Sequence, residues 1–225
     1  MGAIVNSVVV VLASAIGLII GQRIPEKMNL AIMQGIGLVV VSIGISGVVD
    51  GDNTLVLILS MVIGIIIGEG IDIHERINNA INKVTKRFSG DKDQSQFTQA
   101  FMTATMLFCI GSMAIVGSLE SGLTGDNATL YTKSVIDGIS AILFSSSPGI
   151  GVIFSAIPLL LYQGGLVLFA QLLAPLLSAA VILEMTTVGS VLLIGMGLNM
   201  LNLTDFKMMN FIPAIFIPII LVPFL

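Results

Sequence analysis

The chain has 225 residues, of which 56% are hydrophobic and only 10% are charged, and its formal net charge is −4. A soluble domain carries about 25% charged residues, and one core could not cover so much apolar surface. The composition therefore predicts an α-helical membrane protein whose main partner is the lipid bilayer. No basic patch suits nucleic acid. One cysteine, Cys109, and one histidine, His74, argue against a disulfide, a metal cluster, a cofactor or an enzyme.

Eight segments of the chain are candidate membrane spans. A bilayer core about 30 Å thick needs about 20 apolar residues per helix, which selects 3–21, 29–49, 54–70, 98–118, 133–148, 151–174, 178–199 and 208–225. The fifth is the shortest and most polar. We therefore expect an all-α bundle that forms a single membrane domain over residues 1–225.

The positive charges predict the orientation. If the N-terminus is outside, eight of the nine Lys and Arg residues lie in the cytoplasm and only Lys133 lies outside. The opposite orientation would reverse this ratio, against the positive-inside rule. We therefore expect a multi-pass protein with its N-terminus outside and the loop 50–53 facing outward.

The polar segment 69–96 is expected in the cytoplasm. Its apolar residues recur every three or four positions, at Ile73, Ile77, Ile81, Val84 and Phe88, which is typical of an amphipathic helix lying on the membrane surface. With the linker that follows, it occupies 71–97. A connector that orients the third span is favoured over a regulatory or partner-binding helix.

The two ends of the chain contain related motifs. GAIVNS at residues 2–7 resembles GVIFSA at 151–156, and residues 33–45 resemble 185–197. These matches pair spans one to three (1–70) with spans six to eight (151–225), on either side of two central spans (98–150). Since matching spans are five apart, an odd number, the repeats would be inverted, as in secondary transporters. The alternative is chance similarity between Gly-rich apolar strings.

Glu184 is the most conspicuous polar residue in an apolar span. It is the only charge between residues 172 and 204, and Thr186 and Thr187 follow two and three residues later. Since a charge in hydrocarbon costs several kcal/mol, it suggests a cation or proton site. The alternative is a protonated Glu hydrogen-bonded to a neighbouring helix.

Span five and the break after it form a second candidate site. Asp137 lies four residues after Lys133, so the two can pair on one helix face. The break SSSPGIG at 145–151 brings Ser145, Ser146 and Ser147 together. A broken helix at membrane depth could contact a solute, although a tight cytoplasmic turn explains the sequence equally well.

Several other intramembrane residues are weaker candidates. Amides of this kind hold helices together more often than they bind ligands, and they occur at Asn6, Gln163 and Asn199. The glycine pairs Gly17/Gly21 and Gly64/Gly68 predict close helix packing, and the second pair could equally serve a homodimer.

Over nearly its full length the sequence resembles the bacterial domain-of-unknown-function 554 family, the YqgA/YdfK-like membrane proteins. The resembling stretches are MGAIVNS, GLVVVSIGI, VIGIIIGEGIDI, FMTATMLFCIGSMAIVGSLESGL, TKSVIDGISAILF, GIGVIFSAIP with YQGG, and EMTTVGSVLLIGMGLN. The resemblance implies a bacterial inner-membrane protein of transporter-like type. It supplies no substrate and no catalytic residues.

The favoured function is a secondary transporter for a small solute, coupled to H⁺ or Na⁺. Glu184 and Asp137 would handle the cation, and the break at 145–151 would contact the solute. The alternatives are a passive ion channel and a membrane scaffold or sensor.

Overall fold

In the computed structural model, the described residues 1–21, 25–77, 79, 94–147 and 149–224 are helical or in short connections. The α-helices are α1 (Gly2–Gly21), α2 (Glu26–Val49), α3 (Thr54–Ile71), α4 (Gln94–Cys109), α5 (Ser112–Leu123), α6 (Ala128–Ser146), α7 (Gly151–Phe154), α8 (Ala156–Leu168), α9 (Ala170–Leu173) and α10 (Ala179–Met200). The C-terminal segment, Met208–Phe224, contains 3₁₀ turns and the short helix α11 (Pro218–Leu221). The all-α prediction is confirmed for the described residues.

Among the described residues, five helical segments are long and apolar enough to cross a membrane, with α7 and α8 together forming one of them: Gly2–Gly21, Leu30–Val49, Thr54–Ile71, Gly151–Leu168 and Ala179–Met200. Many of their large apolar side chains are exposed, as lipid contact requires; Leu12 is 60% exposed and Leu161 71%. Neither α6 nor the C-terminal segment satisfies the same criteria among the described residues. Eight spans therefore stay a prediction.

The predicted fourth span is not one straight helix. Phe97–Cys109 and Ser112–Leu123 meet at 58°, the geometry of a broken span or of a re-entrant loop. Gly111, between them, has φ +130°, a conformation open essentially to glycine alone. The break therefore follows from the backbone of one residue, which hydropathy does not register.

The helix that contains the predicted fifth span starts five residues before it. Helix α6 begins at Ala128 rather than at residue 133, so Lys133, the first residue of the predicted span, lies within the helix and is 6% exposed. A hydropathy window ends at the Lys because it does not register that Asp137 neutralises it.

The helices pack into two compact units. Unit 1 comprises Met1–Ile36 and Gln99–Leu176, and unit 2 comprises Gly37–Thr98 and Leu177–Leu225. These boundaries differ from the predicted division at 70, 97 and 150, and the single membrane domain stays a prediction. Most of the predicted amphipathic helix, including Ile81, Val84 and Phe88, lies outside the described residues.

In unit 1, α1 and α6 run parallel in close contact. Gly2 lies against Leu130 near the start of both helices, and Gly17 and Gly21 lie against Ile142 and Ser146 near their ends. The Gly2 N–H donates to Asn127 Oδ1 at 2.8 Å. Because glycine has no side chain, the helix axes can approach closely along this face. Helix α1 also contacts α7 and α8.

Unit 2 is built from two antiparallel pairs. Gly44 and Gly47 of α2 lie against Ser190 of α10. Gly64 and Gly68 of α3 lie against Ala214 and Asn210 of the C-terminal segment. The packing role predicted for Gly17/Gly21 and Gly64/Gly68 is thereby confirmed within the chain. Since Gly64 and Gly68 are covered by the same chain, they do not support the predicted homodimer.

Candidate functional site

A buried cluster of four polar residues lies in unit 1, and we call it the ion-pair cluster. It consists of Asn6 of α1, Lys133 and Asp137 of α6, and Gln163 of α8. Asn6 and Gln163 are 0% exposed, Asp137 4% and Lys133 6%. Three helices that are otherwise apolar thus bring a charge pair and two amides to one enclosed place.

Asp137 is the centre of the cluster. Lys133 Nζ donates to its Oδ1 at 2.8 Å, which confirms the predicted i,i+4 pairing, and Asn6 Nδ2 donates to its Oδ2 at 2.9 Å. Both carboxylate oxygens therefore have partners. The same Asn6 Nδ2 also donates to Gln163 Oε1 at 3.2 Å, which extends the network from α6 through α1 to α8.

Two atoms of the cluster are left without a partner. They are Asn6 Oδ1, an acceptor, and Gln163 Nε2, a donor. A buried polar atom without a hydrogen bond costs about 1–3 kcal/mol, and such atoms call for an explanation. The pair offers one acceptor and one donor to a small polar group.

Helix α5, which follows the break at Gly111, packs against two helices of the cluster. It contacts both α6, which carries Asp137, and α8, which carries Gln163. Irregular backbone at membrane depth is tolerated where protein encloses it or water reaches it. The bent helix pair therefore belongs to the surroundings of the cluster.

Glu184 lies in unit 2, not in the cluster. Its Oε1 accepts the backbone N–H groups of Asp52 at 3.3 Å and Asn53 at 3.0 Å, immediately before α3. Asn53 in turn caps α3 through Leu55 and Val56. A carboxylate at a helix N-terminus is stabilised by the free N–H groups and the helix dipole. This geometry favours an anchor for α3, although Glu184 Oε2 has no partner.

The hydroxyls near Glu184 bond within their own helix. Thr186 Oγ1 donates to the Ile182 carbonyl at 2.8 Å and Thr187 Oγ1 to the Leu183 carbonyl at 3.0 Å. Hydroxyls in a helix commonly bond backwards in this way. The structure therefore does not gather them with Glu184 into one set of ligands.

The serines at the end of α6 also bond backwards. Ser145 Oγ donates to the Ala141 carbonyl at 2.6 Å, and Ser146 Oγ to the Leu143 carbonyl at 2.8 Å, while Ser147 is buried. Gly149 has φ +93° and α7 begins at Gly151, so the predicted break is confirmed on both sides of Pro148, which lies outside the described residues. A solute contact there stays a prediction.

Asn199 organises the loop after α10. Its Oδ1 accepts from Thr204 Oγ1 at 2.7 Å and from the Phe206 N–H at 3.0 Å, and its Nδ2 donates to the Phe206 carbonyl at 2.8 Å. Both polar atoms of its side chain form hydrogen bonds within the chain. This pattern indicates a structural amide.

The structure thus brings Asn6, Asp137 and Gln163 together and leaves the other candidates elsewhere. Lys133 belongs to the cluster but was predicted only as a partner of Asp137 at the outer end of the fifth span, and not as a site residue. Its i,i+4 spacing from Asp137 was the signal for its place in the cluster. In the described part of the chain, no group of three His, Cys, Asp or Glu residues could hold a metal ion.

Comparison with known proteins gives the family. The family model described as "Protein of unknown function (DUF554)" matches residues 1–223. Two relatives are the "Uncharacterized membrane protein YdfK" of Bacillus subtilis (strain 168), 34% identical over 221 residues, and the "Uncharacterized protein YqgA" of Escherichia coli (strain K12), 31% identical over 218 residues. Each alignment covers 96% of this chain and 93% of the relative. No solved structure matches. This helical membrane protein therefore belongs to the DUF554 family.

Proposed function

We propose that this protein is a secondary transporter for a small solute and that the ion-pair cluster is its binding site. The observation that carries the proposal is the Lys133–Asp137 ion pair, which has no net charge and is enclosed among apolar helices. It lies beside two amides with unused hydrogen-bonding atoms. Charged residues inside membrane helices are costly and commonly mark solute or ion pathways.

Stability does not account for the cluster. Replacing a buried ion pair with apolar residues of similar size is often neutral or stabilising. Two unsatisfied amide atoms add a further cost of about 1–3 kcal/mol each. The arrangement is explained if the cluster is a site whose hydrogen-bond partners change during transport.

The conformation corresponds to an occluded state. The four residues are 0–6% exposed, so a solute can reach them only after helices move. Displacement of α8 from α1 would break the hydrogen bond between Asn6 and Gln163, and the 58° bend between α4 and α5 offers a hinge nearby. In this proposal Asp137 responds to the H⁺ or Na⁺ gradient, and Glu184 anchors α3.

Helix directions support an eight-span topology in a bacterial cell membrane. If α4 with α5, α6, and the C-terminal segment each cross once, then spans one and five must be parallel, and spans two and seven, like spans three and eight, antiparallel. The glycine contacts within the two units have these directions. The Lys and Arg distribution supports the N-terminus outside.

An inverted repeat is the second architectural part of the proposal. Each span of the first triplet contacts its predicted mate: α1 contacts α7 and α8, α2 contacts α10, and α3 contacts the C-terminal segment. A two-fold axis in the membrane plane relates antiparallel mates. The antiparallel packing of the second and third mates supports that symmetry.

Transport by the purified protein in liposomes tests the function. Vesicles would be given an inward H⁺ or Na⁺ gradient and a panel of radiolabelled amino acids, carboxylates, sugars and nucleosides. We expect saturable, gradient-dependent accumulation that is lost in Asp137→Asn. The control variant Asp205→Asn makes the same change at an exposed position and should transport normally. Ion current without solute would indicate a channel, and no flux of any kind would contradict both.

A further inference from the structure

We infer that the ion-pair cluster takes a zwitterionic solute of the amino-acid type. This inference rests on the proposed transporter function and specifies its substrate class. It follows from two independent properties of the cluster, its charge balance and the chemistry of its unused hydrogen-bonding atoms.

As long as Asp137 is ionised and no coupling ion is bound, the charge balance excludes a solute that carries one net charge. Lys133 and Asp137 neutralise each other at 2.8 Å, and the other cluster members, Asn6 and Gln163, are neutral amides. A lone anion or cation added here would leave an uncompensated charge in an enclosed apolar site, which is strongly unfavourable. The solute that fits without a protonation change has a net charge of zero.

The unused atoms require two opposite groups on that solute. Gln163 Nε2 is a donor and needs an acceptor, whereas Asn6 Oδ1 is an acceptor and needs a donor. A carboxylate on the solute accepts from Gln163 Nε2, which carries two N–H groups. An ammonium group on the solute donates to Asn6 Oδ1.

A zwitterion fits this arrangement better than a neutral amide or a water molecule. Lys133 and Asp137 form a strong local dipole, and a solute with separated charges can align against it. Hydrogen bonds in which one partner is ionised are roughly twice as strong as neutral ones. Acetamide and water satisfy the two amide atoms but gain little from the dipole.

Binding to the full chain in detergent separates these solutes. The probes are the zwitterionic amino acids, with acetate and methylammonium as their singly charged halves and acetamide as the neutral analogue. Binding is followed by Tm. We expect at least one amino acid to raise Tm saturably, because a ligand that binds only the folded protein stabilises it by mass action.

Two charge variants test the balance directly, through their ligand response rather than their stability. In Asp137→Asn the site becomes positive, so acetate should raise Tm; in Lys133→Gln it becomes negative, so methylammonium should do so. The control Asp205→Asn should respond to amino acids like the unaltered protein.

Three results with the unaltered protein would overturn the zwitterion proposal. Acetate or methylammonium alone could raise its Tm, acetamide could raise its Tm as strongly as amino acids do, or no probe could raise its Tm. Accumulation of a singly charged solute in liposomes would overturn the substrate class and leave the transporter standing. Amino-acid binding without uptake would instead overturn the transporter.

Discussion

Asp137 has both carboxylate oxygens committed inside unit 1, one to Lys133 and one to Asn6. Asp137→Ala should therefore be destabilising by about 3–5 kcal/mol, because Lys133 becomes a buried charge without a counter-ion. Lys133→Met should be costly for the corresponding reason, and the double variant Lys133→Met/Asp137→Ala should cost less than either single variant. Unfolding in detergent micelles, followed by helical circular dichroism, measures the three free energies.

The control is a comparison of the free-energy cost of the double variant with the sum of the costs of the two single variants. Independent residues give additive costs, whereas contacting residues do not. If the double variant is as unstable as the sum of the two single variants, the ion pair does not contribute in the folded membrane protein.

Glu184 allows a second test, because its role depends on shape as much as on charge. Glu184→Gln keeps the Oε1 atom that accepts from Asp52 and Asn53, so unfolding free energy and transport should change little. Glu184→Leu removes the acceptor and should cost about 1–3 kcal/mol. Loss of gradient-driven uptake in a stable Glu184→Gln variant would contradict the anchoring role and restore Glu184 as the coupling residue.

For single residues, the sequence predicted the members of the ion-pair cluster better than their arrangement in space. Asp137, Asn6 and Gln163 could be selected because each is polar within an apolar segment. Their proximity could not, since the hydrogen bonds join residues 131 and 157 positions apart. Lys133 was predicted at the very start of the fifth span because a span rule treats a charge as an end of the helix, whereas its pairing with Asp137 keeps it inside α6.

Among the elements, the packing of α3 against the C-terminal segment depends on the absence of a side chain at Gly68. A methyl group there would collide with the Asn210 carbonyl oxygen, whereas at Gly70, two residues later in α3, nothing lies within 4 Å of it. Gly68→Ala should therefore cost about 1–3 kcal/mol or more, as overpacking does. Gly70→Ala should be neutral or stabilising by up to about 1 kcal/mol.

Unfolding of these matched variants in detergent provides the measurement. Equal stability of Gly68→Ala and Gly70→Ala would mean that α3 does not pack against the C-terminal segment as described. Weakened self-association of Gly68→Ala without loss of stability would instead assign that face to a homodimer.

The elements also explain why spans were easier to predict than their ends. Five helices follow directly from apolar length, which is what a bilayer requires. The bend at Gly111 and the early start of α6 depend on backbone conformation and on side-chain pairing. Neither contributes to a hydropathy average.

At the level of the whole molecule, topology is the property on which the transport proposal depends. With the N-terminus outside, residue 91 faces the cytoplasm and the loop containing Asp126 faces outward. In a Cys109→Ser background, Asp126→Cys should react with an impermeant maleimide added to intact cells, because Asp126 is exposed. Asp91→Cys should react only after the membrane is opened, since eight of the nine Lys and Arg residues then remain on the cytoplasmic side. The reverse labelling pattern would invert the orientation. Labelling of both positions from outside would refute an odd number of crossings between them, and with it the counting of α4 with α5 as a single span.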